Sequence, residues 1–589
     1  MNDIRRSILW VIFGFSMILL WDAWQVHNGQ KATFFPAPAK KEAAAATPGA
    51  SAAVPAASSA GVATVTTTGG VPAASATAQG VTGGVSGAIA ANPATPAAVT
   101  AQVIEVNTDL LKMSISTEGG NIIRAELLHH RELNADKSAL SKDVNVVLFD
   151  TSKDRAYEAQ TGLVGMAGQP SLPNHKTVMA FSGERTLKEG KNELILRFES
   201  PEQGGVKYVK TYSIHRGQYD IAVKHEAINT GAAPVSAQLY MQLVRDGNKP
   251  VGESAFYSTF TGPVVYTGEK KYQKAEFTDI EKNKTDFQPT SSSGYVAMAQ
   301  HYFASAWLLP DGIQRDVYMS KVNTNLYSVG MKAPMASIAP AATQVTETRL
   351  YIGPQEENKL EALYPGLELI KDYGWLTILA KPLYWLMDQL HKYISNWGWT
   401  IMALVLLLKI AFYWLNAKAY ASMAKMKAVN PKVMEMRERY KDKPQEMQQQ
   451  MMKIYREEKV NPMGGCFPIM VQIPVFIALY WVLLSSIEFR GAPWVGWIQD
   501  LSAPDPWFLL PVIMTLTTML QTALNPTPPD PMQAKLMWFM PLIFSVMFFF
   551  FPAGLVLYWI TTNVLSIAQQ WIINTRMGVP PQFNLPKFK

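Results

Sequence analysis

Cysteine is almost missing from this chain of 589 residues: Cys466 is the only one. Its solitude excludes an intrachain disulfide, a cysteine-rich zinc site and a CxxC redox pair. Histidine is scarce as well, with eight residues scattered singly or in one pair, so no metal site is expected. Between Ala43 and Ile104 there is no charged or aromatic side chain, and such a stretch has nothing whose burial would offset the entropy of ordering it. No GxSxG, HExxH or nucleotide-binding pattern occurs, which argues against an enzyme and against a resident cofactor. The formal charge of +7 is small for this length and does not point to DNA.

Hydrophobic residues make up 48% of the chain, and they are gathered in blocks. Arg5 and Arg6 precede an apolar run from Ser7 to Leu20, which places the start of the chain in the cytoplasm. A cleaved signal needs small residues after that run. Trp21, Asp22 and Trp24 stand there instead, so residues 1–24 read as a retained transmembrane anchor and 25–101 as a linker rich in Ala, Pro, Gly, Ser and Thr. From residue 102 the pattern changes to period two, as in VIEVN (Val103 to Asn107) and the run from Val206 to Asn229, with turn signals such as Glu118-Gly119-Gly120 between strands. Residues 102–355 therefore read as an antiparallel sandwich outside the membrane. His129, His130, His215 and His225 have no catalytic pattern around them and are expected on its wet faces.

Residues 356–396 form a connector ending in an amphipathic helix at the outer membrane surface, with Trp375, Leu379, Leu383, Leu386 and Leu390 at helical spacing. Four apolar segments follow: Trp397 to Trp414, Phe467 to Ile487, Trp507 to Leu524, and Leu536 to Ile573. The last would be about 57 Å as one helix, nearly twice a bilayer core, and Pro552-Ala553-Gly554 offers a break. The fold class is thus a polytopic α-helical membrane protein of six transmembrane helices with a large outer all-β domain. A core of five of these helices spans 397–573, with a helical hairpin at 416–460 and a basic tail at 574–589. Lys and Arg crowd the hairpin and tail, whereas the loop from Glu488 to Pro506 has only Arg490, which puts the hairpin and both chain ends in the cytoplasm.

Inside these segments one charge stands out, Lys409, with no Asp or Glu in any of the four. Two readings are open: the ammonium snorkels to the cytoplasmic interface, or it faces a wet cavity that attracts acidic groups. Gln472, Thr515, Thr517, Thr518, Gln521, Thr561, Thr562, Asn563 and Gln569 either brace helices or line that cavity. Pro468, Pro474, Pro511 and Pro541 favour bent, loosely packed helices. The hairpin carries seven methionines, among them Met423 and Met426, beside cations such as Lys432 and Arg437. Packing between its helices and docking of a partner are both open explanations.

In combination, NWGW (Asn396 to Trp399), NPKVMEMRERY (Asn430 to Tyr440), EKVNPMGGCFPIMVQIPVF (Glu458 to Phe476), DPMQAKLMWFMP (Asp530 to Pro541) and FPAGLVLYWITTN (Phe551 to Asn563) resemble the YidC/Oxa/Alb family of membrane-protein insertases. The resemblance implies a bacterial inner-membrane protein with a periplasmic β-supersandwich. It also implies nascent membrane proteins as clients, action alone or beside the Sec translocon, and a cytoplasmic hairpin that meets the ribosome and targeting factors. It places a groove charge, more often Arg in the family, at Lys409, and the polar neighbours Gln472, Thr518, Gln521 and Asn563 are then the candidate groove residues beside it. A hydrophobic slide then falls on Cys466, Phe467, Pro468, Ile473 and Pro474, with Tyr558 and Trp559. A secondary transporter with a periplasmic sensing domain and a structural scaffold are the rival readings. If residues 43–104 have nothing to pack, deleting residues 51–91 is expected to leave insertion of a single-span client unchanged in proteoliposomes. A large drop would show that the linker does more than connect.

Overall fold

The computed structural model describes residues 100–133, 140–166, 170–250, 259–440, 443–458, 467–525, 531–578 and 583. The expected anchor, nearly all of the linker, Cys466, and Lys587 and Lys589 of the tail lie outside the described residues. Eighteen described strands form two antiparallel sheets of nine. One runs Val103–Asn107, Leu111–Ser116, Ile122–Leu133, Tyr157–Gly165, Ala237–Asp246, Leu326–Pro334, Arg315–Asn323 and Thr290–Ser291, with Leu140–Phe149 paired to the third of these. The other runs Lys271–Lys274, Gly262–Thr267, Tyr295–Ala299, Phe303–Leu308, Thr343–Pro354, Asp220–Asn229, Val206–His215, Glu193–Glu199 and Ala180–Gly183. This is the large all-β domain that the alternation predicts.

The inner faces bury Met113, Ile115, Leu127, Leu239, Met241, Val223 and Trp307 in one core. Trp307 donates its indole N–H to the Gln242 carbonyl at 3.2 Å, and Tyr157 meets Ser305 at 2.5 Å, so polar contacts also tie sheet to sheet. At the turn after Leu111–Ser116, Gly119 has φ +66°, and a Cβ there would lie 2.3 Å from the His175 carbonyl oxygen, which explains the glycine. The histidine expectation is corrected at His225 and in part at His130, which is half-buried against Phe303 and Tyr219. His129 and His215 are exposed, but His225 shares the inner register with Val223 and Ala227, is fully buried, and pairs with Tyr208 at 2.6 Å and Thr348 at 3.0 Å. Alternation places a residue on a face only once the phase of the strand is known.

Ten described helices follow in chain order: α1 (Phe277–Glu281), α2 (Glu357–Leu363), α3 (Thr377–Ile394), α4 (Trp397–Ala411), α5 (Tyr413–Arg439), α6 (Pro444–Glu457), α7 (Phe467–Ser485), α8 (Leu509–Leu524), α9 (Pro531–Phe548) and α10 (Ala553–Arg576). The expected break at Pro552 is present, and the freed N–H groups of Ala553 and Gly554 bond the carbonyls of Ala503 and Leu501. On α3 the deepest residues are Ala380, Tyr384 and Met387, whereas the expected stripe of Leu379, Leu383, Leu386 and Leu390 is half-buried. No single described helix is long and apolar enough to cross a membrane. The segment Trp397 to Trp414, expected as one crossing, breaks at Phe412, and only together do Trp397–Ala411 and Tyr413–Met423, bent by 67°, meet the length and composition needed. The turn comes where the apolar run gives way to Asn416 and Lys418. Leu406 and Ile410 on α4, Val512, Leu516 and Leu520 on α8, and Leu542, Ile543 and Val546 on α9 are exposed, a belt of apolar surface that suits acyl chains and not water.

Sandwich and helices meet at a charged seam. Lys371 has no exposed side-chain surface; its ammonium lies 3.2 Å from Glu488 and 3.9 Å from Glu357, and over the Tyr384 ring at 3.9 Å. Tyr384 donates to Glu488 at 2.6 Å and Tyr373 to Glu357 at 2.5 Å. Burial pushes the Glu357 carboxyl up, opposed by Lys371. Nearby, Arg490 donates to the Arg131 carbonyl at 2.6 Å, and Ile487 joins the sandwich core. Burial, with Arg490 beside them, holds His130 and His301 down at about 4, so both stay neutral across ordinary periplasmic pH.

Two outcomes are expected. Lys371→Met leaves two carboxylates without their cation and should cost about 3–5 kcal/mol; adding Glu488→Gln should recover part of the lost melting temperature, and no recovery would deny the pair its organising role. Within the sandwich, burial pushes Glu158 up to about 8 from 4.5. Between those values the unfolded chain has released a proton that the fold retains, so stability falls as pH rises. Buried Lys210, pushed down to about 7 from 10.5, acts oppositely above about 7. Melting temperature should therefore descend from about pH 5 to 7, and Glu158→Gln should flatten that limb alone.

Candidate functional site

Lys409 lies near the end of α4 and turns inward to α10, donating to the Ser566 hydroxyl at 2.7 Å. Ser566 in turn donates to the Thr562 carbonyl at 2.6 Å. The adjacent Ile410 points outward and is exposed, so the two faces of α4 differ sharply at this level. Of the two readings of Lys409, this geometry favours the inward one. Its direct partner is a hydroxyl, and among the described residues no carboxylate lies within ion-pair distance. A lone half-buried ammonium with a neutral partner retains most of its field for whatever else approaches.

One turn deeper into α5, a chain of side-chain amides links three helices. Gln472 of α7 donates to Asn416 Oδ1 at 2.6 Å, and Asn416 Nδ2 donates to Gln569 Oε1 of α10 at 3.1 Å. Farther toward the outer side, Asn563 of α10 reaches Thr518 at 2.9 Å and Thr517 at 3.3 Å on α8. Thr515, Thr561 and Thr562 donate back to carbonyls of their own helices, which satisfies their hydroxyls locally. Gln521 is half-buried on α8 and takes no part in these bonds. Thus Lys409, Gln472, Thr518 and Asn563 fall in one polar strip with α10 as its spine.

Sequence reasoning missed Ser566, Asn416 and Gln570. Thr562, Asn563, Ser566, Gln569 and Gln570 recur at three- and four-residue steps within an otherwise apolar helix, and Asn416 follows Lys409 by seven. That spacing was a readable sign of one polar face.

Beside this strip, Phe476 of α7 stacks on Tyr558 at 5.8 Å and meets Trp559 edge-on at 4.9 Å, and Phe548 of α9 also meets Trp559 at 4.9 Å. Tyr558 is buried in this contact and Pro474 and Trp559 are half-buried, so Ile473 is, among the slide members whose side chains are described, the one that presents open apolar surface. Phe467 and Pro468 open α7. In the hairpin, Met426 packs with Val429, Val433, Met451 and Ile454 between α5 and α6, while Met434 and Met452 are exposed. Met423 and Arg437 are half-buried, and Lys432 pairs with Glu458 at 2.5 Å. Packing between the two helices accounts for Met426 and Met451, whereas Met434 and Met452 present open apolar surface. No group of His, Cys, Asp and Glu able to hold a metal occurs among the described residues.

Residues 103–386 match the family described as YidC periplasmic domain, and residues 389–579 match the 60Kd inner membrane protein family. A protein of Cupriavidus pinatubonensis named membrane protein insertase YidC is 51% identical over 577 residues, covering 98% of each chain. A protein of the same name from Janthinobacterium sp. is 49% identical over 594 residues, covering 98% of this chain and all of its own. Matched along nearly its whole length at about half identity, with both parts of the architecture represented, this chain belongs to the YidC family of bacterial membrane protein insertases.

Proposed function

We propose that this inner-membrane protein is an insertase that works without an enzymatic step: a client's polar tail enters the strip at Lys409 from the cytoplasm while its apolar segment passes into lipid beside α7 and α10. The observation that carries this reading is the ammonium of Lys409, held inside the helical core by a hydroxyl and not neutralised. At a separation of ~4 Å and an effective dielectric of ~20, its attraction for a carboxylate is about 4 kcal/mol. That is enough to draw an acidic tail but not to trap it. Transfer of the client's apolar side chains from water to lipid supplies the driving force, so no nucleotide is required. Lys offers a point charge without the two-pronged geometry of Arg, which suits tails of varied structure. Coupled solute transport usually relies on an intramembrane carboxylate, and the apolar segments carry none.

In this reading the chain crosses the membrane six times, with both ends and the α5–α6 hairpin in the cytoplasm and the sandwich in the periplasm. The hairpin's exposed Met434 and Met452, among Met423, Met426, Lys432 and Arg437, form a soft basic surface for the ribosome and targeting factors. The Sec translocon is a neighbour for larger clients, and the slide would comprise Cys466, Phe467, Pro468, Ile473, Pro474, Tyr558 and Trp559 beside the groove residues Gln472, Thr518, Gln521 and Asn563.

The test is insertion by purified protein in liposomes. Lys409→Arg is expected to insert clients with acidic tails as the wild type does. Lys409→Ala should slow them about ten-fold and Lys409→Glu more, through repulsion, while clients with neutral tails and strongly apolar segments change little. Full activity of Lys409→Ala on acidic tails would overturn the role of the charge, and no insertion over empty liposomes would overturn the function.

A further inference from the structure

An extended peptide entering the hydrocarbon region carries one N–H and one C=O per residue, and each costs free energy unless it finds a partner. Lys409 answers only the acidic side chains of such a tail. The backbone needs a surface with both donors and acceptors, available at a modest energetic cost and indifferent to sequence. A side-chain amide has the same pair of groups as a peptide unit, and three of them converge just inside the bend at Phe412.

Gln472 gives its N–H to Asn416, and Asn416 gives its own to Gln569, so the chain of bonds runs in one direction through α7, α5 and α10. Asn416 and Gln569 are buried, Gln472 half-buried. A directional chain leaves opposite ends free: an acceptor, Gln472 Oε1, and a donor, Gln569 Nε2, neither engaged in a hydrogen bond among the described residues. The next residue, Gln570, adds a buried Oε1 without a donor among the described residues. Three amides could have closed on one another more completely; instead, the cluster ends in unsatisfied groups matching those of a polypeptide backbone. The polar strip holding them continues through Ser566 to Lys409.

We propose that Gln472, Asn416 and Gln569 bind the backbone of the translocating tail, exchanging their mutual hydrogen bonds for bonds to its peptide groups as it passes. This rests on the groove reading above and extends it to tails without charge. The amides pair with one another when the strip is empty, which keeps them from being stranded unsatisfied, and each exchange replaces one amide bond by another of equal strength. Passage can then proceed in small steps. Asn416, bonded on both sides, is the residue whose loss breaks the chain in two.

The experiment uses the full-length protein in liposomes and three single-span clients: one with a neutral Gly/Ser tail, one whose tail alternates proline so that half its N–H groups are gone, and one with an acidic tail. On the wild type the proline tail, with fewer N–H groups in need of a partner, should insert at about the rate of the Gly/Ser tail. Asn416→Leu should slow the Gly/Ser tail about five-fold and the proline tail much less, because the proline tail has fewer groups for the amides to satisfy. Gln569→Leu should behave alike and Asn416→Gln should restore most of the rate, with melting temperature followed to show that each variant is folded. Equal slowing of both tails by Asn416→Leu, or no slowing of either, would leave the amides as a brace between helices and overturn the proposal. Failure of the wild type to insert any client would instead overturn the insertase reading itself.

Discussion

Lys371 sets the terms for the rest of the molecule. A fully buried ammonium needs partners that offset its lost hydration, and here Glu357 comes from α2 at the end of the sandwich, Tyr384 from α3, and Glu488 from the loop after α7. No one element could satisfy it alone. The cation thereby fixes three separate parts of the chain with respect to one another, and α7, which carries Gln472, is held from its outer end. The outer loop beyond Glu488 then folds over the bundle so that Leu501 and Ala503 accept the first N–H groups of α10. The two helices that bracket the polar strip are therefore positioned at their outer ends by polar contacts, not by apolar packing alone.

Lys371 and Lys409 show opposite uses of the same side chain. At the seam the charge is matched by two carboxylates and has little field left to offer. In the core Lys409 is met by a hydroxyl, and its field stays available. Around it the described partners are neutral hydroxyls and amides. On the proposed function, the absence of Asp and Glu from the apolar segments leaves the charge available to a client's acidic groups.

Much of the architecture was legible in advance because strand alternation and apolar blocks are local signals. The sheet-forming runs and the break at Pro552 each follow from residues close together in the chain, whereas the direction of Lys409 is settled only by Ser566, 157 residues away. What could not be read depended on phase or on distant partners. His225 fell on the inner face because the strand's register, set by pairing with Val206–His215 and Thr343–Pro354, put it there. The bend at Phe412 contains neither Pro nor Gly, and the nearby change from apolar to polar residues does not by itself signal a turn. Ser566 and Asn416 acquire meaning only when α10 lies against α4 and α5, although the three- and four-residue spacing of polar groups on α10 was visible throughout. Tyr558, placed on the slide by motif, is buried against Phe476.

The bend has one more consequence, a mechanical one. With 27 residues, α5 is a rod about 40 Å long, and Asn416 lies only about 5 Å from the end that joins α4. If the rod pivots at Phe412, an excursion of about 5 Å at its far tip displaces Asn416 by little more than half an ångström, from the ratio of those two arms. Leverage this unequal isolates the amides from jostling at the tip of the hairpin. A bulky body can press on that tip while the hydrogen-bonded crossing beneath it keeps its spacing.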